Sequence, residues 1–214
     1  MKCTEERFLA DVEGHEMEVV HEHDNVYRHV RFQKPDQSAF WFSLITWPGH
    51  LCIAGDMGTY VFARLRDMFE FFRTDDYEGR ESGLFINPDY WGSKLSSSDY
   101  PRGITEFDPA AFRDAVKDDF DTSRETDDRS EKFYRALWSE IDYDILDPVA
   151  NGECGEEGAR SAVEDFNYDG WTFSDDWWER DLTRFRYHFI WCCYAIAWGV
   201  EQYDKSRAAA AVSA

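Results

Sequence analysis

Val26-Tyr27-Arg28-His29-Val30-Arg31-Phe32-Gln33, a Lys34-Pro35-Asp36 turn, and then Ala39-Phe40-Trp41-Phe42-Ser43-Leu44-Ile45-Thr46-Trp47 form the stretch on which the fold turns. Val26, Arg28, Val30 and Phe32 alternate with their neighbours, and so do Phe40, Phe42, Leu44 and Thr46. A period of two with a proline-containing turn between the runs predicts two adjacent antiparallel strands. Outward from there, Met17–Glu22 predicts a strand before them, with Asp24-Asn25 as the turn. Leu51–Ala54 and Tyr60–Phe62 predict two more after them, divided by Pro48-Gly49 and by Gly55-Asp56-Met57-Gly58. Thr4 is placed to cap a short helix from Glu5 to about Val12. Leu65, Met68, Phe69 and Phe72 share one helical stripe.

Beyond residue 73 the pattern changes. Residues 74–107 are rich in Gly, Pro and Ser and read as loop. Asp108-Pro109 is a cap and first-turn pair that opens a helix to about Phe120. Asp128 or Ser130 opens another to about Ile141, which Asp147-Pro148 and Asn151-Gly152 break. A third covers Glu156 to about Phe166, and Trp171–Phe173 reads as extended. A last helix is expected from about Asp176 to Lys205, ahead of a frayed tail at 208–214. The expectation is an α+β chain: an N-terminal antiparallel β-sheet followed by a helical part with a long apolar C-terminal core helix. Residues 1–207 read as one domain, with the sheet in residues 1–73, a loop-rich stretch at 74–107 and an acidic helical region at 108–207.

The composition sets the function classes. In 214 residues there are 44 acidic and 23 basic side chains, a net charge of −21, yet 17% of residues are aromatic and nine are Trp. Disordered acidic tails lack such apolar content, so the chain folds and carries its charge outside. A surface this negative repels phosphate, which argues against direct nucleic-acid binding and against anionic membranes. The five cysteines are odd in number and include the adjacent Cys192-Cys193, so they read as buried thiols of a reducing compartment. The longest uncharged apolar run, Phe189–Val200, spans 12 residues where a membrane helix needs about 20. With no apolar leader after Met1, a cytoplasmic location is expected. The charge is uneven: net −8 over residues 1–100, −15 over 101–181 and +2 over 182–214.

Several motifs resemble parts of a phage- and prophage-encoded protein family. They are Val26–Phe32, Leu44-Ile45-Thr46-Trp47-Pro48-Gly49-His50, Gly55–Phe62, Asp67-Met68-Phe69-Glu70-Phe71-Phe72 and Phe189–Ala195. The likeness spans most of the chain and is weakest around 120–155. That family has no assigned reaction, so no catalytic residues carry over. What the resemblance implies is a phage origin and expression in the cytoplasm of a bacterial host.

Three constellations merit a chemical reading. The first is the acidic block, with candidate partner-binding residues Asp114, Asp118, Asp119, Asp121, Glu125, Asp127, Asp128, Glu131, Asp142, Asp144 and Asp147. Asp114 and Asp118 share one helix face, where like charges repel. Carboxylates at each helical turn present a field like that of duplex DNA, about one negative charge per 1.7 Å of axis. The expected activity is therefore non-enzymatic: DNA mimicry against a host DNA-binding defence or DNA-processing protein, of anti-CRISPR or anti-restriction type. A plain solvated or salt-adapted surface is the competing explanation, since Arg (17) far outnumbers Lys (6).

The second is Asp165-Phe166-Asn167-Tyr168-Asp169-Gly170-Trp171-Thr172-Phe173-Ser174-Asp175-Asp176, which follows the spacing of a single EF-hand-like Ca²⁺ loop. Asp165, Asn167, Asp169, the Trp171 carbonyl and Asp176 would be the ligands. Asp176 replaces the usual Glu, and the same residues also read as a helix–turn–strand connector; otherwise no cofactor is expected. The third is histidine-based. His21 and His23 lie on one strand, and His29, His50, Cys52 and Asp56 stand nearby in sequence. A carboxylate- or His-dependent enzyme would gather His29, His50 and Asp56 in a pocket. Of the adjacent Trp177 and Trp178, helix geometry buries only one.

Overall fold

Alternating apolar residues need a cover on one face only, and the strands take it from a long C-terminal helix together with shorter ones. The computed structural model describes residues 2–73, 83–101 and 103–212. It is α+β, with an N-terminal antiparallel sheet followed by helices and a long C-terminal helix. No helix among the described residues is long and apolar enough to cross a membrane. The chain divides into two compact units, Met1–Ile104 with Phe185–Ala214, and Thr105–Arg184. The second is thus an insertion within the first, where one continuous domain was expected.

In the first unit, helix α1 (Glu5–Asp11) is capped by Thr4, whose hydroxyl accepts the Arg7 amide. Strands β1 (Glu16–His23), β2 (Tyr27–Gln33), β3 (Phe42–Trp47), β4 (His50–Gly55), β5 (Gly58–Ala63) and β6 (Leu95–Ser98) form one antiparallel sheet in sequence order. Strand β6 lies inside the stretch expected to be loop. Its Leu-Ser-Ser-Ser composition carries no alternation, and pairing with β5 alone makes it a strand. Helices α2 (Met68–Phe72) and α3 (Pro88–Gly92) complete the approach to it; α2 is shorter than the 65–72 stripe because Asp67 caps it.

Val30, Phe32, Leu44, Leu51, Ile53 and Phe62 project to the inner face and are fully buried. The main cover is helix α8 (Tyr187–Val212), which contributes Phe189, Trp191, Cys193, Ile196 and Val200. Trp191 and Trp198, two turns apart, both pack against Phe8 and Phe42. The helix starts eleven residues later than Asp176. Residues 177–179 instead form a 3₁₀ turn, and Thr183–Phe185 forms a strand. It also continues through the alanines expected to fray; Ser213 and Ala214 lie outside the described residues.

Where α8 crosses the sheet it presents Gly199. A methyl there would sit 2.8 Å from Leu44 Cδ1 and 3.1 Å from Phe32 Cε2. In an exposed helix Gly→Ala stabilises by about 1 kcal/mol. At Gly199 crowding reverses the sign: Gly199→Ala is expected to lower stability by about 1 kcal/mol in urea denaturation.

The second unit begins with strand β7 (Thr105–Phe107), which pairs with β8 (Thr183–Phe185) where the chain leaves again. Between them run α4 (Pro109–Thr126), α5 (Glu131–Ile141), a π-helical turn (Asp142–Leu146), α6 (Asp147–Ala150) and α7 (Glu156–Asp165). Asp147-Pro148 does not break the chain here, because the wider π-turn ends where Pro148 enters the first turn of α6. A proline lacks the N–H and crowds the carbonyl four residues back, and both demands vanish at a helix start. Phe112, Val116, Leu137, Ile141, Ala159, Val163, Trp171 and Leu182 form this unit's own core.

Candidate functional site

The inserted unit holds 24 acidic and nine basic side chains, so its net charge is −15 in 80 residues. The acidic block read from the sequence is coextensive with a structural unit. Its longest helix, α4, is sorted by charge. At about 100° per residue, Asp114, Asp118, Asp121 and Glu125 fall within roughly 60° of arc. Arg113, Lys117 and Arg124 fall in a separate adjoining stripe, and Phe112, Val116, Asp119 and Phe120 are buried.

The eleven predicted carboxylates therefore divide. Asp119 points inward, 5% exposed, and accepts the Ser174 amide (3.0 Å), the Ser174 hydroxyl (2.6 Å) and Arg180 Nη2 (3.0 Å). Such a saturated carboxylate belongs to the scaffold. Asp118 is outside but meets Arg180 Nη1 at 3.0 Å, while that guanidinium lies over the Trp177 ring. Glu131 takes both its bonds from Arg124, at 2.8 Å each, and Asp127 pairs with Arg129 at 3.3 Å. Of the remaining seven, Asp121 lies beside Arg124, and Asp114, Glu125, Asp128, Asp142, Asp144 and Asp147 have no side-chain partner among the described residues.

The bases neutralise this row only in part, Arg180 at Asp118 and Arg124 beside Asp121. Lys117, Arg124 and Arg135, with Asp121 and Glu131 among them, rim a cleft of about 340 Å³ floored by Phe120, Tyr134 and Trp138 between α4 and α5. Sequence reading missed this cleft, although the spacing 117, 120, 121, 124 carries a signal for it. Trp177 is buried and Trp178 is 69% exposed, so one tryptophan of the pair is outside, although the two sit in a 3₁₀ turn and not in the helix expected there.

The loop 165–176 is closed upon itself. Asp169 and Gly170 have φ of +48° and +77°, and Tyr168 pairs with Trp171, a tight two-residue hairpin turn. Asn167 Oδ1 accepts the Gly170 amide, Asp165 accepts the Ser161 hydroxyl, and Asp176 precedes a 3₁₀ turn instead of a full helix. Trp171 belongs to the core. Among the described residues no three His, Cys, Asp or Glu side chains are grouped to hold a metal ion.

His29, His50 and Asp56 each make a contact of their own. His29 contacts Ser43 Oγ at 3.3 Å, His50 stacks on Trp47 two strands away, and Asp56 accepts the Phe40 amide at 2.6 Å. His21 stands opposite His29, and His23 pairs with Asp24. All five cysteines are free. Burial pushes the thiols of Cys52, Cys192 and Cys193 upward, and that of Cys3 up to about 11, which holds them protonated at neutral pH. Near Cys192, the Tyr100 hydroxyl is hydrogen-bonded to His188, and its ring stacks on buried Tyr60. No family model, curated protein or solved structure matches the chain.

Proposed function

We propose that the inserted acidic unit is an interaction module that occupies a positively charged nucleic-acid-binding surface on another protein, in place of the nucleic acid. One observation carries the reading: the row Asp114, Asp118, Asp121 and Glu125 on one face of α4, in which Asp118 pairs with Arg180 and Asp121 borders the basic rim of the cleft, while Asp114 and Glu125 meet no cation among the described residues. The row spans twelve residues, eleven steps of 1.5 Å or about 16 Å. Four carboxylates over that length approach the charge density of one nucleic-acid strand. Like charges at helical spacing destabilise the helix that bears them, and complementary charge on a partner offsets that cost. The phage-family likeness supplies the context, in which the partner is a host defence or DNA-processing protein and the activity is inhibition rather than catalysis. Exposed Trp178 and the aromatic-floored cleft add apolar anchors of the kind interfaces use.

The test is capture from bacterial lysate on immobilised protein, with elution by salt and competition by duplex DNA. Bound protein is expected to leave as salt rises from 0.1 to about 0.5 M, because screening removes the attraction. DNA is expected to displace it. Asp114→Asn/Asp121→Asn/Glu125→Gln is expected to weaken binding at least about tenfold with unchanged melting behaviour. Capture that resists both salt and DNA, or is unaltered by the triple substitution, would sink the reading.

A further inference from the structure

Strand β1 is the outer strand of the six-stranded sheet, and no described strand pairs with its free edge. It reads Glu16-Met17-Glu18-Val19-Val20-His21-Glu22-His23, and at its centre Val19 and Val20 are 42% and 47% exposed. Two acids precede the valines and two histidines flank Glu22 after them. In a regular strand Glu18 and His21 would face opposite sides of the sheet. Here they do not. The pairing with β2 runs Glu16–Gln33, Glu18–Arg31, Val19–Val30, then His21–His29 and His23–Tyr27, so Val20 is an extra, bulged residue. Directly opposed residues share a face. Since Val30 and Phe32 point to the core, Glu16, Glu18, His21 and His23 all point to the other face.

We propose that β1 is a self-pairing edge, which a second copy of this chain extends into a continuous sheet. Two β1 strands related by a dyad between Val19 and Val20 run antiparallel. That register sets Glu18 opposite His21 of the second copy and Glu16 opposite His23 of the second copy. Each pair occurs twice, on the same face. An imidazole N–H donates to a carboxylate whether or not the ring is charged. Met17 stands opposite Glu22 of the second copy on the core side, and the exposed valines meet at the dyad. The bulge is what makes this register possible: without it, the residues brought opposite would lie on different faces. Charges and bulges on edge strands ordinarily guard against pairing. A guard works through like charges, whereas acids in one half and histidines in the other are complementary to themselves. Glu16, Glu18 and His21 also lack a side-chain partner within the chain among the described residues.

Sedimentation of the whole protein at micromolar concentration tests the pairing. The expected species is a dimer that persists at high salt, because backbone hydrogen bonds and buried valines are not screened. Glu18→His creates His–His pairs and His21→Glu creates Glu–Glu pairs, and each is expected to weaken the dimer at least about tenfold. Two further samples separate this from simple misfolding. The double variant Glu18→His/His21→Glu restores complementarity, and an equimolar mixture of the two single variants forms heterodimers. A monomeric wild type, or a dimer indifferent to both single substitutions, overturns the proposal. So does failure of both the mixture and the double variant to restore association.

Discussion

Asp67→Ala is expected to cost about 3–5 kcal/mol, the largest loss from any single carboxylate in the first unit. Arg28 sits on β2 among Val26, Val30 and Phe32, and its side chain is only 4% exposed. Its guanidinium lies 4.6 Å from the Phe69 ring and 5.5 Å from that of Tyr203. The Asp67 carboxylate meets it in a two-pronged pair at 2.8 and 2.9 Å. That same carboxylate accepts the Phe69 amide and so caps α2. Removing it strands a positive charge inside the core and frays a helix at once. Urea denaturation of the whole chain reads the loss. Arg28→Met in the same background is expected to recover most of it, because a buried apolar side chain needs no partner. If the double variant is as unstable as Asp67→Ala, the penalty does not come from the unpaired guanidinium.

The second large effect contrasts two neighbours. Asp119→Ala is expected to destabilise by about 2–4 kcal/mol, since three hydrogen bonds to a buried carboxylate disappear and the Ser174 amide is left without an acceptor. Asp118→Ala, one position earlier, is expected to change stability by less than about 0.5 kcal/mol, because its carboxylate is largely in water. Thermal melts followed by tryptophan fluorescence and circular dichroism separate them. The comparison bears on function too. Loss of binding by an Asp119 variant would report a damaged scaffold, whereas loss by Asp114, Asp121 or Glu125 variants with native melting reports a contact. Equal melting of the two alanine variants would refute the inward placement of Asp119.

Much of the sheet was legible because its signal is local. Val26, Arg28, Val30 and Phe32 alternate, and all four are buried, including the arginine that a hydropathy count alone would have put outside. Phe42, Leu44 and Thr46 follow the same rule, and Thr46 satisfies its hydroxyl on the Val26 carbonyl at 2.6 Å. Strands β6, β7 and β8 were not legible, since three or four residues owe their state to a distant partner. The start of the last helix was misplaced because Asp175-Asp176 resembles a cap before an aromatic run. Leu182 and Phe185 are instead placed by the β7–β8 ladder, with the Asp108 amide donating to the Leu182 carbonyl.

At the acidic unit, composition located the charge but could not sort it. The helical period could have placed Asp119 inside, since it falls with Phe112, Val116 and Phe120 on the buried side of α4. Which carboxylates meet arginines was beyond reach, because Arg180 comes from 61 and 62 residues away. The Asp165–Asp176 spacing matches a metal loop, and its Asp169-Gly170 pair, which belongs to that pattern, also makes the tight turn that pairs Tyr168 with Trp171.

The insertion has a consequence for the order in which the molecule is made. The sheet leaves the ribosome before α8, with Phe32, Phe42, Leu44, Ile53 and Phe62 awaiting that helix. Eighty residues of the inserted unit are synthesised before that helix begins to appear. At roughly 5–20 residues per second the delay is about 4–16 s, long beside the microseconds a hairpin needs to form. During that interval the nascent sheet is a half-finished layer with an open apolar side, vulnerable to aggregation and available to chaperones. The inserted unit has its own core and can fold while the sheet waits. Closure of the first unit by α8 therefore follows the sheet with a delay, set by translation of the residues between them rather than by the intrinsic speed of strand pairing.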